Sequence, residues 1–214
     1  MKLRVVLLGL LLCAAPAFAG EVYNNGPING TTDGWTINFG FVVTDTFTVS
    51  TGPTTLGSLA FGAWLFPGDV LESVQVSVTS EAFGGTTYFN GIVNFTQSGC
   101  SGNQYAYNVC TETGFFNGPT LTNGTYWLEL QNAVVSNGDP IYWDENSGVG
   151  CTSPGCPSVA QNNNCISNGE IGCIPSESFT LDSSGASTVP EPGSLVLFGS
   201  GFFGIVGIMR RRSR

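Results

Sequence analysis

The chain has 214 residues, of which 42% are hydrophobic and only 10% charged, with 30 glycines and 11 prolines, too much glycine for a helical bundle and too little charge for a disordered acidic tail. Its six cations are Lys2, Arg4, Arg210, Arg211, Arg212 and Arg214, so Val5 to Met209 contains no Lys, Arg or His, while every acid except Glu191 lies between Glu21 and Asp182. That distribution excludes a phosphate-gripping nucleic-acid binder, a His-dependent nucleophile, a His-ligated zinc site, a Schiff-base lysine and a P-loop lysine.

Residues 1–19 read as a signal peptide. Lys2 and Arg4 precede the apolar run Val5 to Leu12, and Ala17-Phe18-Ala19 supplies the small residues that a signal peptidase inspects. The run is shorter than the ~20 residues of a membrane span. Leu12, in front of Cys13, stands where a lipoprotein signal carries a small residue.

From Gly20 to Thr188 the sequence predicts one exported all-β domain, large enough to bury about two thirds of its unfolded surface. Short runs rich in β-branched and aromatic residues alternate with Gly, Asn, Pro and Ser clusters, and no window holds a 3.6-residue period. The expected strands are Trp35 to Val43, Asp45 to Thr51, Leu56 to Phe66, Val70 to Ser80, Thr86 to Thr96, Gln104 to Val109, Tyr126 to Val135, Pro140 to Trp143 and Ser178 to Leu181. Val74, Val76 and Val78 alternate with Ser73, Gln75, Ser77 and Thr79, as in a strand with one wet face. Phe66-Pro67-Gly68-Asp69 and Thr122-Asn123-Gly124 supply turn chemistry. The expected architecture is an antiparallel, jelly-roll-like β-sandwich; a β-helix ranks second, since no fixed repeat supports it.

Beyond the signal peptide six cysteines remain, Cys100, Cys110, Cys151, Cys156, Cys165 and Cys173. In an oxidising compartment the favoured reading is three local disulfides, 100 with 110, 151 with 156 and 165 with 173, the last two holding a long loop from Gly148 to Pro175. A zinc site made from the last four lacks a CxxC knuckle.

Asp139, Asp144 and Glu145 surround Ile141-Tyr142-Trp143 and invite a glycoside hydrolase reading. Hydrolysis needs two carboxylates about 5 to 10 Å apart across one cleft. Neighbours on a strand point to opposite faces, so Asp144 and Glu145 make a poor pair and are expected on a wet loop. No cofactor is expected; uncompensated carboxylates would suit a structural calcium ion, although no Asp-x-Asp-x-Asp-Gly loop is present. Trp35, Trp64, Tyr126, Trp127, Tyr142 and Trp143 are either core or a sugar-stacking platform. Thr44, Thr46, Thr48 and Ser50 share a face with the spacing of an ice-binding surface, but only one such strand is found, which favours an ordinary solvent face. Asn29, Asn94 and Asn123 head glycosylation sequons that are accidental in a bacterial export context.

The C-terminal segment combines Val189-Pro190-Glu191-Pro192, an apolar stretch from Leu195 to Met209, and the basic cluster Arg210, Arg211, Arg212 and Arg214. Fifteen residues at 1.5 Å each fall somewhat short of a ~30 Å hydrocarbon core, a gap that snorkelling arginines and Gly193-Ser194 can close, so 195–209 is expected to be a transmembrane helix with its arginines on the cytoplasmic side. The two prolines keep the tripeptide extended.

This order resembles the PEP-CTERM sorting signal of Gram-negative bacteria that make extracellular polysaccharide, a tail also described as an ice-binding protein C-terminal segment. The resemblance covers Val189 to Arg214 only. It implies recognition by an exosortase, a membrane-embedded cysteine transpeptidase-like enzyme, and passage through an inner-membrane-anchored intermediate to the cell surface or the extracellular space. The expected function is that of a non-enzymatic surface or biofilm-matrix protein, with extracellular polysaccharide as its neighbour, the membrane as a transient contact through the C-terminal helix, and no nucleic-acid partner. Carbohydrate binding is the alternative, ahead of a carboxylate-dependent glycosidase or an ice-binding role.

Overall fold

In the computed structural model, residues 20–146, 158–162, 170–174 and 176–184 are described. None of them is helical, and every strand pair they form is antiparallel. The strands are β1 (Glu21–Asn24), β2 (Gly34–Thr36), β3 (Phe41–Val49), β4 (Thr54–Leu65), β5 (Leu71–Glu81), β6 (Gly84–Gly102), β7 (Asn108–Phe115), β8 (Thr120–Leu121), β9 (Gly124–Val135), β10 (Tyr142–Asp144), β11 (Ser158–Asn162), β12 (Glu170–Ile174) and β13 (Phe179–Ser183).

The hydrogen-bonded order is β1-β13-β4-β7-β6-β5-β9-β3-β11-β12, with β10 bridging β2 and β4, and β8 on β4. The long strand β6 joins the two halves. Its residues up to Asn94 pair with β5 and those from Phe95 onward pair with β7. Between Ser98 and Ser101 its register slips around Gly99 at φ +62°, a bulge that adds twist where the strand changes neighbours.

The sheet curls so that its ends meet over one core. Tyr23 of β1 lies 5.7 Å from Phe179 of β13 and 6.3 Å from Phe47 of β3, ring centre to ring centre. Inward positions recur every second residue, as the pleat demands: Leu59, Phe61, Ala63 and Leu65 on β4, Val74, Val76 and Val78 on β5, Tyr126, Leu128 and Leu130 on β9. Trp143, fully buried, packs edge-on against Phe61 and Phe179 and donates its indole N–H to the Ser178 carbonyl at 2.9 Å.

Both turns foreseen in the sequence are present. Phe66-Pro67-Gly68-Asp69 closes with Asp69 N–H on the Phe66 carbonyl at 3.0 Å and Gly68 at φ +98°, and Gly124 opens β9. Several expectations are corrected. The break placed at Thr44 lies instead at 37–40, where Phe39 (φ +56°) and Gly40 (φ +82°) turn the chain, so β2 is short and β3 runs unbroken through Asp45. Residues 104–107 form a loop, and β7 continues to Phe115. Strands β11 and β12 form a hairpin inside the segment expected to be a loop; it pairs with β3 through main-chain groups, which side-chain composition does not report. Thr44 and Thr46 are fully buried, so they form no solvent face, and the Thr44 hydroxyl donates to the Leu128 carbonyl at 2.8 Å. Ser77 and Thr79 are also buried, opposite Glu129 and Trp127 of β9, which corrects the expectation of a wet face.

The signal peptide 1–19, the sorting segment Val189 to Arg214 and its helix 195–209 lie outside the described residues, as do Cys151, Cys156 and Cys165, so the two later disulfides do too.

Candidate functional site

One cleft gathers aromatic side chains that are scattered in sequence. Thr32, Asp33, Gly34, Trp64, Tyr105, Tyr107 and Tyr142 line a cavity of about 310 Å³. Trp64 stands near the end of β4, Tyr142 opens β10, and the two other tyrosines belong to the loop from β6 to β7. The Tyr105 ring stacks over Trp64 at 5.6 Å and 22°. Tyr107 is tilted 38° to Trp64 at 5.9 Å, and Tyr142 stands at 71° to Tyr107 at 5.4 Å. Phe66 extends the group through Tyr107, at 4.9 Å. Tyr105 is 53% exposed, whereas Trp64 is 4% exposed and presents only part of its surface.

The tyrosine loop is pinned by a small number of polar atoms. The Asn103 side-chain oxygen accepts the N–H groups of Tyr105 and Tyr107, both at 3.0 Å, an Asx-type arrangement that fixes the two rings. Asn103 and Gln104 donate in turn to the Gly30 and Thr31 carbonyls, at 3.3 and 3.0 Å, tying this loop to the opposite wall. At its base the Cys100–Cys110 disulfide joins β6 to β7, as the spacing predicted. The wall at Gly34 permits no side chain: a Cβ there would meet the Tyr142 Cβ at 2.9 Å and the Trp143 carbonyl at 3.1 Å.

Behind the aromatic wall lies a set of buried carboxylates. Asp144 and Glu145 are 0% and 2% exposed, which corrects the expectation of a wet loop. They point to opposite sides, as strand geometry requires. Asp144 accepts from the Trp64 indole N–H at 2.6 Å, the Gly30 and Asn29 amides at 2.9 Å each, and the Ser178 hydroxyl at 3.2 Å. Burial pushes its pKa up and these donors hold it down. Glu145 accepts the Trp35 indole N–H and is pushed up to about 7, first by burial and then by the negative charges of Asp33 and Asp144. Asp139, the third acid of the expected group, is half-buried on a turn where its carbonyl accepts from Asn38 at 2.9 Å.

Two further buried acids were not legible as site residues. Asp45 faces inward from β3, and its carboxylate accepts from Asn25 (3.0 Å), Ser176 (2.7 Å), the Glu177 amide (2.8 Å) and the Thr46 amide (2.6 Å). Burial still raises it to about 6. Glu177 accepts the Ser158 hydroxyl at 3.0 Å, while its other oxygen is buried with no partner. Burial, then Asp45 and Glu145, push its pKa well up, which favours the neutral acid. Asn25 and Asn146 complete this clasp by donating to the Glu177 carbonyl at 2.8 and 3.2 Å. With the Asn25 amide also donating to the Ser176 hydroxyl at 2.6 Å, it ties the first residues of the β body to its last segment, 151 residues apart. No three acidic or cysteine side chains among the described residues converge as a metal site would require.

Of the six aromatics singled out in the sequence, Trp143 and Tyr126 are core, Trp35 and Trp127 are half-buried away from the cleft, and Trp64 and Tyr142 line it. Tyr105 and Tyr107 were missed.

Compared with known families, residues 188–212 match the PEP-CTERM protein-sorting motif. The match implies export, exosortase as the processing partner and a membrane-associated sorting intermediate. No curated protein matches the chain.

Proposed function

We propose that the chain is a non-enzymatic protein of the cell surface or extracellular matrix, delivered through its C-terminal signal and resident among extracellular polysaccharide. The observation that carries this reading is the motif match at 188–212. A body without Lys, Arg or His between Val5 and Met209 supports it, since that body offers few of the groups that enzymes use for proton transfer or nucleophilic attack. Asp45, Asp144, Glu145 and Glu177 take hydrogen bonds from Asn, Ser, Trp and main-chain N–H groups, which is the role of structural anchors.

The body itself reads as a jelly roll. Counting only the eight main strands, the order β1-β13-β4-β7 in one half and β3-β9-β5-β6 in the other is that of two nested Greek keys. A structural calcium ion remains the cofactor that carboxylates without a cationic partner would suit.

Carbohydrate binding at the aromatic cleft is the second reading, favoured by the stacked Trp64–Tyr105 pair beside hydroxyl-bearing Tyr107 and Tyr142. Deleting the host's exosortase tests the principal reading. The protein is then expected to stay in the inner membrane and vanish from the surface fraction; unchanged surface display would overturn it.

A further inference from the structure

We propose that the aromatic cleft recognises a positively charged ammonium group, either a protonated amine or an alkylammonium. This deepens the second reading, because it rests on the cleft being the ligand site of the body.

Three features set the preference. The rings approach from different directions: Tyr105 and Trp64 are nearly parallel, and Tyr142 stands across Tyr107 at 71°. Tyr105 covers Trp64, so the face most open to a ligand is that of Tyr105, 53% exposed, with Tyr107 and Tyr142 beside it, and an ammonium ion is held by such a face within about 6 Å of the ring centre.

The second feature is charge. Asp33 stands at the cleft, with Asp144 and Glu145 close behind it. No Lys, Arg or His between Val5 and Met209 offsets them. The field in the cleft is therefore negative, and an anionic ligand would be repelled. Tyr142 adds no charge of its own: burial, and then the hydrogen bond with the Tyr107 hydroxyl, push its phenol up to about 12, so it keeps its proton.

The third is the hydrogen bond of 2.6 Å from the Trp64 indole N–H to Asp144. That bond holds the Asp144 carboxylate directly behind the aromatic wall, where its charge adds to the attraction for a cation in the cleft. At about 310 Å³ the cavity has room for a group of the size of choline or one amino-sugar residue.

The chemistry has two sources, a free alkylammonium solute and the amines of a deacetylated amino-sugar polymer. Titration of the full-length protein, followed by tryptophan fluorescence, uses choline, a fully deacetylated glucosamine oligomer and the same oligomer N-acetylated. Saturable binding of choline or of the deacetylated oligomer, at least tenfold tighter than the acetylated one, is expected, and the arm that binds identifies the source. Asp33→Asn keeps the oxygen that accepts the Gly34 amide at 2.8 Å. It should weaken either amine ligand by about fivefold and leave the acetylated oligomer unchanged. Tyr105→Ala, at a ring 53% exposed, should weaken amine binding by about tenfold, and Tyr105→Phe should restore it. Equal binding of the two oligomers, insensitive to Asp33→Asn, would overturn the ammonium preference while leaving carbohydrate binding in place. Binding of none of the three ligands would overturn both.

Discussion

Glu112 should make the body less stable as pH rises, and removing its charge should abolish that loss. The residue sits on the inward face of β7 between Cys110 and Gly114, fully buried, with neither carboxylate oxygen partnered. Its cross-strand neighbours are Phe61 and Gln97, which offer no positive charge. Burial raises its pKa from 4.5 to about 7. Below pH ~4.5 both folded and unfolded chains hold the proton and the group carries no electrostatic penalty. Between ~4.5 and ~7 the unfolded chain releases its proton and the folded chain does not, so stability falls, and above ~7 the loss is complete. A carboxyl that moves from 4.5 to about 7 on folding, at about 1.36 kcal/mol per pH unit, loses about 3 kcal/mol. Glu112→Gln keeps the shape of the neutral acid. It should therefore stabilise the protein by about 2 to 3 kcal/mol at pH 8 and by less than about 0.5 kcal/mol at pH 4. In a domain of this size that is a rise in Tm of roughly 5 to 12 °C at pH 8. Urea unfolding followed by tryptophan fluorescence at pH 4 to 8 measures both. An effect that does not grow with pH, or a variant less stable at pH 8 than at pH 4 relative to the parent, would refute the reasoning.

Other expectations follow from the same packing. Replacing Cys100 and Cys110 together by Ala opens the loop that carries Tyr105 and Tyr107, and chemical denaturation should register a loss of about 2 to 3 kcal/mol. Asp45→Asn sets an amide N–H against one of the donors that now converge on the carboxylate, so unfolding at pH 8 should become easier by about 1 to 3 kcal/mol, with the two ends of the body loosening first in hydrogen exchange. Non-reducing peptide mapping should recover Cys100 joined to Cys110, and recovery of either cysteine in another pairing would contradict the observed bridge.

The sequence displays the sheet best where packing follows a period of two. Val74, Val76 and Val78 announced both the strand and its buried face, and Phe66-Pro67-Gly68-Asp69 announced the turn ahead of it, because each depends on adjacent residues. Charge misled in both directions. Asp45 resembles an interruption, yet it lies mid-strand because Asn25, Ser176 and two main-chain amides replace the water it lost. Glu112 hides the second half of β7 for the same reason, although no donor compensates it. The cleft was illegible as a unit. Its walls come from residues 32–34, 64, 105, 107 and 142, and only the pairing of β10 with β2 and β4 and the Asn103 pin bring them together. The sorting motif at 188–212 was legible, since such a signal is carried by a linear string of residues rather than by a fold.

The central claim, that the tail is a processed sorting signal, is tested most directly by the intact mass of the mature protein from its native host. The account predicts a chain cut near Pro190-Glu191-Pro192 and lacking Arg210 to Arg214, and it predicts that replacing Pro190, Glu191 and Pro192 by Ala, Gln and Ala blocks the cut. Arg214 still attached to all of the surface-exposed protein, with the replacement making no difference, would contradict it and leave the segment a simple anchor.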